Sequence, residues 1–243
     1  MSPDVTGLVL LWALLPWPQP DAPAACAPEA RAVLDAAAAA AFDGEFAAAE
    51  AQLRGGYDAH GQCRELGVAA WAWGGWQAAV AAAEQGGTEQ SLTRIYDATT
   101  ALGPPSGVAS VSSYAASVLR AAAAAAQDER EEMQVWLEHA RALASTLSLA
   151  GEHGRWPLPI DLVDGELWSS VDDYELAEVS YTRALAERDS AIAWRGLGRA
   201  RDRRGNREGA CAAYRRARDL ASPQHPKGVV ATEARGYLLI CEP

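Results

Sequence analysis

The chain has 243 residues, enough for one elongated array or two compact domains. Its formal net charge of −11 argues against nucleic acid or an anionic membrane as the main partner. About half of the residues are apolar, but much of that is alanine, so helices built from it bury little area each and depend on many neighbour contacts.

Residues 1–27 read as a targeting segment. Gly7 to Leu15 is an apolar run of nine, too short to span a bilayer but suited to a secretory core region. Pro16 to Pro20 ends any helix there, and the small residues from Ala22 to Ala27 suit a cleavage region. The start departs from the secretory pattern, since it holds Asp4 and no Lys or Arg. One alternative is an apolar arm packed on the rest of the chain. Another is a lipid anchor at Cys26, although Pro23 stands where leucine is usual. Export places the protein in the periplasm or another exported setting; a retained segment makes it cytoplasmic.

From Pro28 onward the pattern is helical, broken by Gly and Pro and without alternating strands. Arg31 to Phe42 and Glu45 to Arg54 pair around Asp43-Gly44, with Ala49 and Leu53 facing the partner. Cys63-x2-Leu66-Gly67 opens the next unit, followed by Gly74, Ala79 and Ala83. There Trp73-Gly74-Gly75-Trp76 is expected to span an inter-helix turn, with Trp71 on the first helix. Glu89 to Leu102, Val108 to Gln127 and Glu129 to Leu149 are three further helices that no motif pairs. Gly151 to Pro159 is the clearest break and a candidate hinge, dividing a 28–150 region from a 158–243 region. Leu158 to Ser190 and Ala191 to Pro223 are two helical hairpins in the same phase, and Val229 to Ile240 is a helix that caps the last apolar face.

The two hairpins carry a shared motif. Trp194, Leu197 and Gly198 form a first cluster, Ala210 and Tyr214 a second, and Pro223 closes the unit. In the preceding hairpin Gly165, Trp168, Asp172, Ala177 and Tyr181 match in phase, with Asp161 at the tryptophan place. Leu66-Gly67 repeats Leu197-Gly198, with Cys63 at the tryptophan place. This resembles the tetratricopeptide repeat, W-x2-L-G-x2-Y, then A-x3-F, then P, over about 34 residues. The likeness is clear over 158–224, fair over 30–93 and poor over 94–157, and Arg201 departs from the family's tyrosine. It implies an all-α, right-handed superhelix of helical hairpins. First helices would line a groove that binds polypeptides, and Gly198 and Ala210 would be small because two helices cross closely there.

In such an array the groove positions of the last unit are Ile192, Arg195, Arg199 and Asp202-Arg203; the preceding unit offers Leu162, Glu166 and Ser169. Arg195, Arg199 and Arg203 stack on one helix face within a segment, 191–227, that holds ten Lys/Arg against three Asp/Glu. They point to an acidic partner surface, or else are solvated or paired with acids of the chain's own N-terminal half. Trp71, Trp73 and Trp76 invite a stacking site, but packing explains them better in helical repeats.

No catalytic group assembles from the sequence. His60, His139, His153 and His225 are scattered, without a second ligand at i+3 or i+4. Gly103 to Gly107 lacks the lysine and hydroxyl of a phosphate loop. Cys26, Cys63, Cys211 and Cys241 show no C-x-x-C spacing, which argues against metal. In an exported chain array order favours Cys26–Cys63 and Cys211–Cys241 disulfides; in a cytosolic one all four are core thiols. The sequence therefore predicts a non-enzymatic, cofactor-free, protein-binding scaffold of a bacterial envelope assembly. The competing readings are an enzyme accessory or catalytic domain on helical hairpins and a cytosolic adaptor or co-chaperone.

Overall fold

A computed structural model describes residues 26–42, 44–60, 63–85, 89–103, 110–149, 159–221 and 228–241. The apolar run 7–15, residues 22–25 of its cleavage region, most of the 151–159 break, Pro223, His153 and His225 lie outside the described residues.

The described chain is a run of helices: α1 (Pro28–Phe42), α2 (Phe46–Ala59), α3 (Arg64–Gln85), α4 (Glu89–Leu102), α5 (Val111–Ala126), α6 (Arg130–Leu149), α7 (Ile160–Ser170), α8 (Tyr174–Glu187), α9 (Ala191–Arg203), α10 (Arg207–Leu220) and α11 (Val229–Leu238). Each packs on the next, and the odd-numbered helices also pack on one another in series from α1 to α11. The result is an all-α solenoid of helical hairpins, with α1, α3, α5, α7, α9 and α11 as its inner layer. Among the described residues no helix is long and apolar enough to cross a membrane.

Local chemistry sets the hairpin turns. Left-handed residues stand just after α1, α5, α7 and α9, namely Gly44, Asp128, Asp172 and Gly205. Glycine takes this conformation without a Cβ penalty, and Asp tolerates it better than most residues. Two of the following helices, α8 and α10, start on side-chain caps: Asp173 accepts from the Leu176 N–H and Asn206 from the Gly209 N–H.

The close crossings fall where the motif places them. A Cβ on Gly198 would stand 2.9 Å from the Tyr214 ring, and one on Gly165 2.8 Å from Tyr181. Ala177, Ala210 and Leu66 are fully buried; Leu197, Tyr181 and Tyr214 are nearly so, and Trp194 is half-buried. A Cβ on Gly67 would meet Tyr57 at 2.9 Å.

One expectation fails. No turn occurs at Gly74, because α3 runs unbroken from Arg64 to Gln85 and the hairpin partner is α4. Gly74 and Gly75 serve close approach instead. A Cβ on Gly75 would press on Leu119 at 2.6 Å and Ala98 at 2.9 Å, and one on Gly74 would meet Glu50 at 2.9 Å. The three helices that no motif paired resolve as α4 on α3 and α5 on α6.

An ion cluster of two buried aspartates and two partly exposed arginines ties α6 to α7 and α8. Arg141 donates to Asp161 and Asp164 at 2.7 and 2.8 Å, while Arg183 donates to Asp164 and Ser180. Asp161, at the motif's tryptophan place, is thus an ion-pair residue joining the two halves of the array.

Both cysteine pairs close as array order favours, Cys26–Cys63 and Cys211–Cys241, separated by 37 and 30 residues. Two disulfides point to an oxidising, exported environment. The Cys26 sulfur is engaged with Cys63, which leaves no thiol there for a lipid anchor. Closing a loop of that length should contribute about 3–4 kcal/mol through the unfolded chain. A Cys211→Ser/Cys241→Ser variant should therefore unfold at clearly lower urea, with α11 losing amide protection first; unchanged protection of α11 would contradict this role.

Candidate functional site: the inner groove

Helices α3, α5, α7 and α9, together with Arg130 of α6 and Tyr174 of α8, line a groove of about 750 Å³. Its two walls differ in chemistry. On one side Ala79, Ala82 and Ala83 of α3 and Ala122, Ala125 and Ala126 of α5 form an alanine floor. On the other stand Glu166, Ser169 and Ser170 of α7 and Arg195, Arg199 and Arg203 of α9. The spacing by three and four that puts the arginines on one face of α9 puts the alanines on one face of α3 and of α5.

The arginines are not equivalent. Arg195 is 3 % exposed and lies between two carboxylates, 3.4 Å from Glu166 and 3.8 Å from Glu233 of α11. Arg199 reaches Glu233 at 3.1 Å, and the Tyr214 hydroxyl donates to the same carboxylate at 3.0 Å. Burial alone would push the Glu233 carboxyl up, but Arg195 and Arg199, with the hydrogen bonds from Arg199 and Tyr214, hold it below its ordinary value. The Arg199 guanidinium is pushed up, since Glu166 and Glu233 outweigh the desolvation that lowers it.

Arg203 differs from both. It is exposed, lies over the Tyr174 ring at 5.8 Å, and has no carboxylate partner among the described residues. The expected acidic pairing of the stripe therefore occurs within the chain, but with Glu166 and Glu233 of the C-terminal hairpins and cap, not with the N-terminal half. Of the other expected groove positions, Ile192 is fully buried and Asp202 accepts from the Tyr237 hydroxyl.

The three tryptophans separate likewise. Trp73 is buried and stacks on Phe46 at 5.5 Å. Trp76 is also buried and borders the groove, and its indole N–H has no hydrogen-bond partner among the described residues. Trp71 is 40 % exposed with Arg54 over its ring at 5.4 Å, and does not line the groove. Trp71, Trp73 and Trp76 thus form no common stacking platform.

The structure also joins one serine to a histidine, a contact that sequence reasoning missed. Ser117 and His139 meet at 2.9 Å across α5 and α6. Ser117 is fully buried and donates its hydroxyl to the Ser113 carbonyl, so the pair belongs to the helix interface. Among the described residues no group of three or more His, Cys, Asp or Glu could hold a metal ion.

No protein-family model matches the chain, and no curated protein matches its sequence.

Proposed function

We propose that the protein is a tetratricopeptide-like scaffold that binds a partner polypeptide in its inner groove, as part of an assembly in the bacterial periplasm. The observation that carries this reading is the groove itself, lined by side chains from four successive inner helices and large enough to hold a polypeptide segment. The repeat motif supports the family, and the two disulfides support the exported setting. In this reading the protein is not an enzyme and needs no cofactor. Its partner is another protein, with at most a local acidic feature, because Arg195 and Arg199 already have carboxylates of their own.

The test is partner capture in the native host by wild type and by Ala83→Trp. Ala83 is an exposed residue of the groove floor, so the change fills the groove without entering the core. Val135→Trp, at an exposed site outside the groove lining, serves as control. Loss of a specific partner with Ala83→Trp but not with the control is the expected result. Equal capture by all three would place binding on another surface.

A further inference from the structure

We infer that the two ends of the array are latched to each other, so that the solenoid is a closed turn, and that this latch is the joint at which it opens to admit a partner to the groove. The reading rests on the groove as the binding surface and adds how that surface is reached.

In a solenoid each unit packs on its neighbours, and nothing in the repeat brings the first and last units together. Here they meet. The α1–α2 turn, in which the Gly44 and Glu45 N–H groups donate to the Ala41 and Ala40 carbonyls, lies against the start of α11. The Val229 N–H, 184 residues further along the chain, donates to Glu45 Oε1 at 2.9 Å. Beside it a Cβ on Gly44 would stand 3.0 Å from Val230 Cγ2. Gly44 and Gly228 are buried, and Val230 is 1 % exposed. Both sides of the contact have a local reason. Gly228 has no side chain with which to cap α11, and the first N–H groups of a helix have no acceptor within it. The Glu45 carboxylate supplies one, with the charge that a helix N-terminus favours. Gly44, at φ +81°, is a left-handed turn residue whose missing Cβ also lets Val230 approach.

The seam is built differently from the rest of the ring. Elsewhere consecutive helices pack along one another, whereas α11 packs along α9 and α10 but not along α1 or α2. Each end is tied to its own neighbours by a disulfide, Cys26–Cys63 or Cys211–Cys241, and neither bond crosses the seam. Opening there separates a turn from a helix end and leaves every hairpin intact. The consequence is topological. A curved array whose ends touch surrounds its concave side, where α3, α5, α7 and α9 carry the groove. While the latch holds, a partner enters along the axis as a chain end. An internal segment or a folded domain enters only when the latch opens.

Two measurements on the full chain test this. Amide exchange at Val229, followed by NMR, reads the latch directly. In wild type this N–H should be protected. Glu45→Ala and Gly44→Ala should each speed its exchange at least about tenfold, the low end of what a hydrogen bond to a charged acceptor is worth. Glu45 makes no side-chain cap to α2, so its truncation spares that helix. Gly103→Ala is the control for Gly44→Ala, because Gly103 has the same left-handed backbone, φ +85°, with nothing within 4 Å of an added Cβ. It should leave Val229 unchanged. Access is read by labelling Ala83→Cys, at an exposed groove site, with a small maleimide and with one carried on a folded protein, after peptide mapping has confirmed both native disulfides. Adding Glu45→Ala should speed labelling by the large reagent several-fold and leave the small one unchanged. An unprotected Val229 amide in wild type overturns the inference. So does equal exchange in Gly44→Ala and Gly103→Ala, or no gain in large-reagent labelling. Both measurements read the ring itself, so their outcome is separate from capture of the native partner.

Discussion

Tyr181→Ala is expected to cost about 3–5 kcal/mol, the range for truncating a large buried aromatic side chain. Tyr181 is 1 % exposed and its ring lies against two glycines of different helices, Gly165 of α7 and Gly196 of α9. With no side chain on either side, nothing can move in to fill the space. The same geometry gives a sharper test. A Cβ on Gly196 would stand 2.2 Å from Tyr181 Cζ, so Gly196→Ala should also destabilise, by about 1–3 kcal/mol as an overpacked core does. In the Tyr181→Ala background the clash is gone, and Gly196→Ala should become neutral or stabilising by up to about 1 kcal/mol, the helix-propensity difference between the two residues. Urea midpoints of the four proteins measure this. Equal destabilisation of both backgrounds by Gly196→Ala would show that the ring is not what excludes a side chain there.

That glycine–tyrosine contact also shows what the sequence makes legible. Gly198 and Tyr214 stand 33 residues after Gly165 and Tyr181, and both pairs pack as the motif implies, because a small residue and a ring at a fixed offset have few other uses. Gly196 was not singled out, since its contact is with the ring of the preceding hairpin and no local pattern marks it. Gly74 was misread for a related reason. A glycine that ends a helix and a glycine that admits a neighbour look alike in sequence, and only the positions of Glu50, Leu119 and Ala98 tell them apart. The helices from 89 to 149 stayed unpaired because alanine runs fit any partner; what fixes α5 is its packing on α3, α4, α6 and α7 together.

The groove was legible in part. Spacing alone placed Arg195, Arg199 and Arg203 on one face, and phase gave Glu166 and Ser169 as groove positions of the preceding unit. Missing was Glu233, because the cap has no repeat phase from which to project a position. Ala79 and Ala83 of α3 were read as positions of a hairpin unit and the alanines of α5 carried no motif; that the two sets line one groove appears only once α3 and α5 stand side by side.

The buried arginine carries the remaining large effect. Arg195→Met should cost about 3 kcal/mol, the lower part of the range for removing one member of a buried ion pair. The cost arises because Glu166 and Glu233 would be left near one another with Arg199 as the remaining cation bonded to either. Glu233, whose side chain is 29 % exposed, keeps some water, which is why the upper part of the range does not apply. Acid response supplies a second readout. The Glu233 carboxyl is held below its ordinary 4.5 in the folded state, so the stability it contributes is complete above that value and is lost as pH falls through the lower folded value. Wild type should therefore lose stability between neutral pH and about pH 3, and Arg195→Met should lose less over the same range. Arg195→Met/Glu166→Gln should recover part of the neutral-pH loss, since one of the stranded charges is then gone. A wild-type urea midpoint for Arg195→Met at neutral pH would show that the cluster is not a stabilising element of the last hairpin.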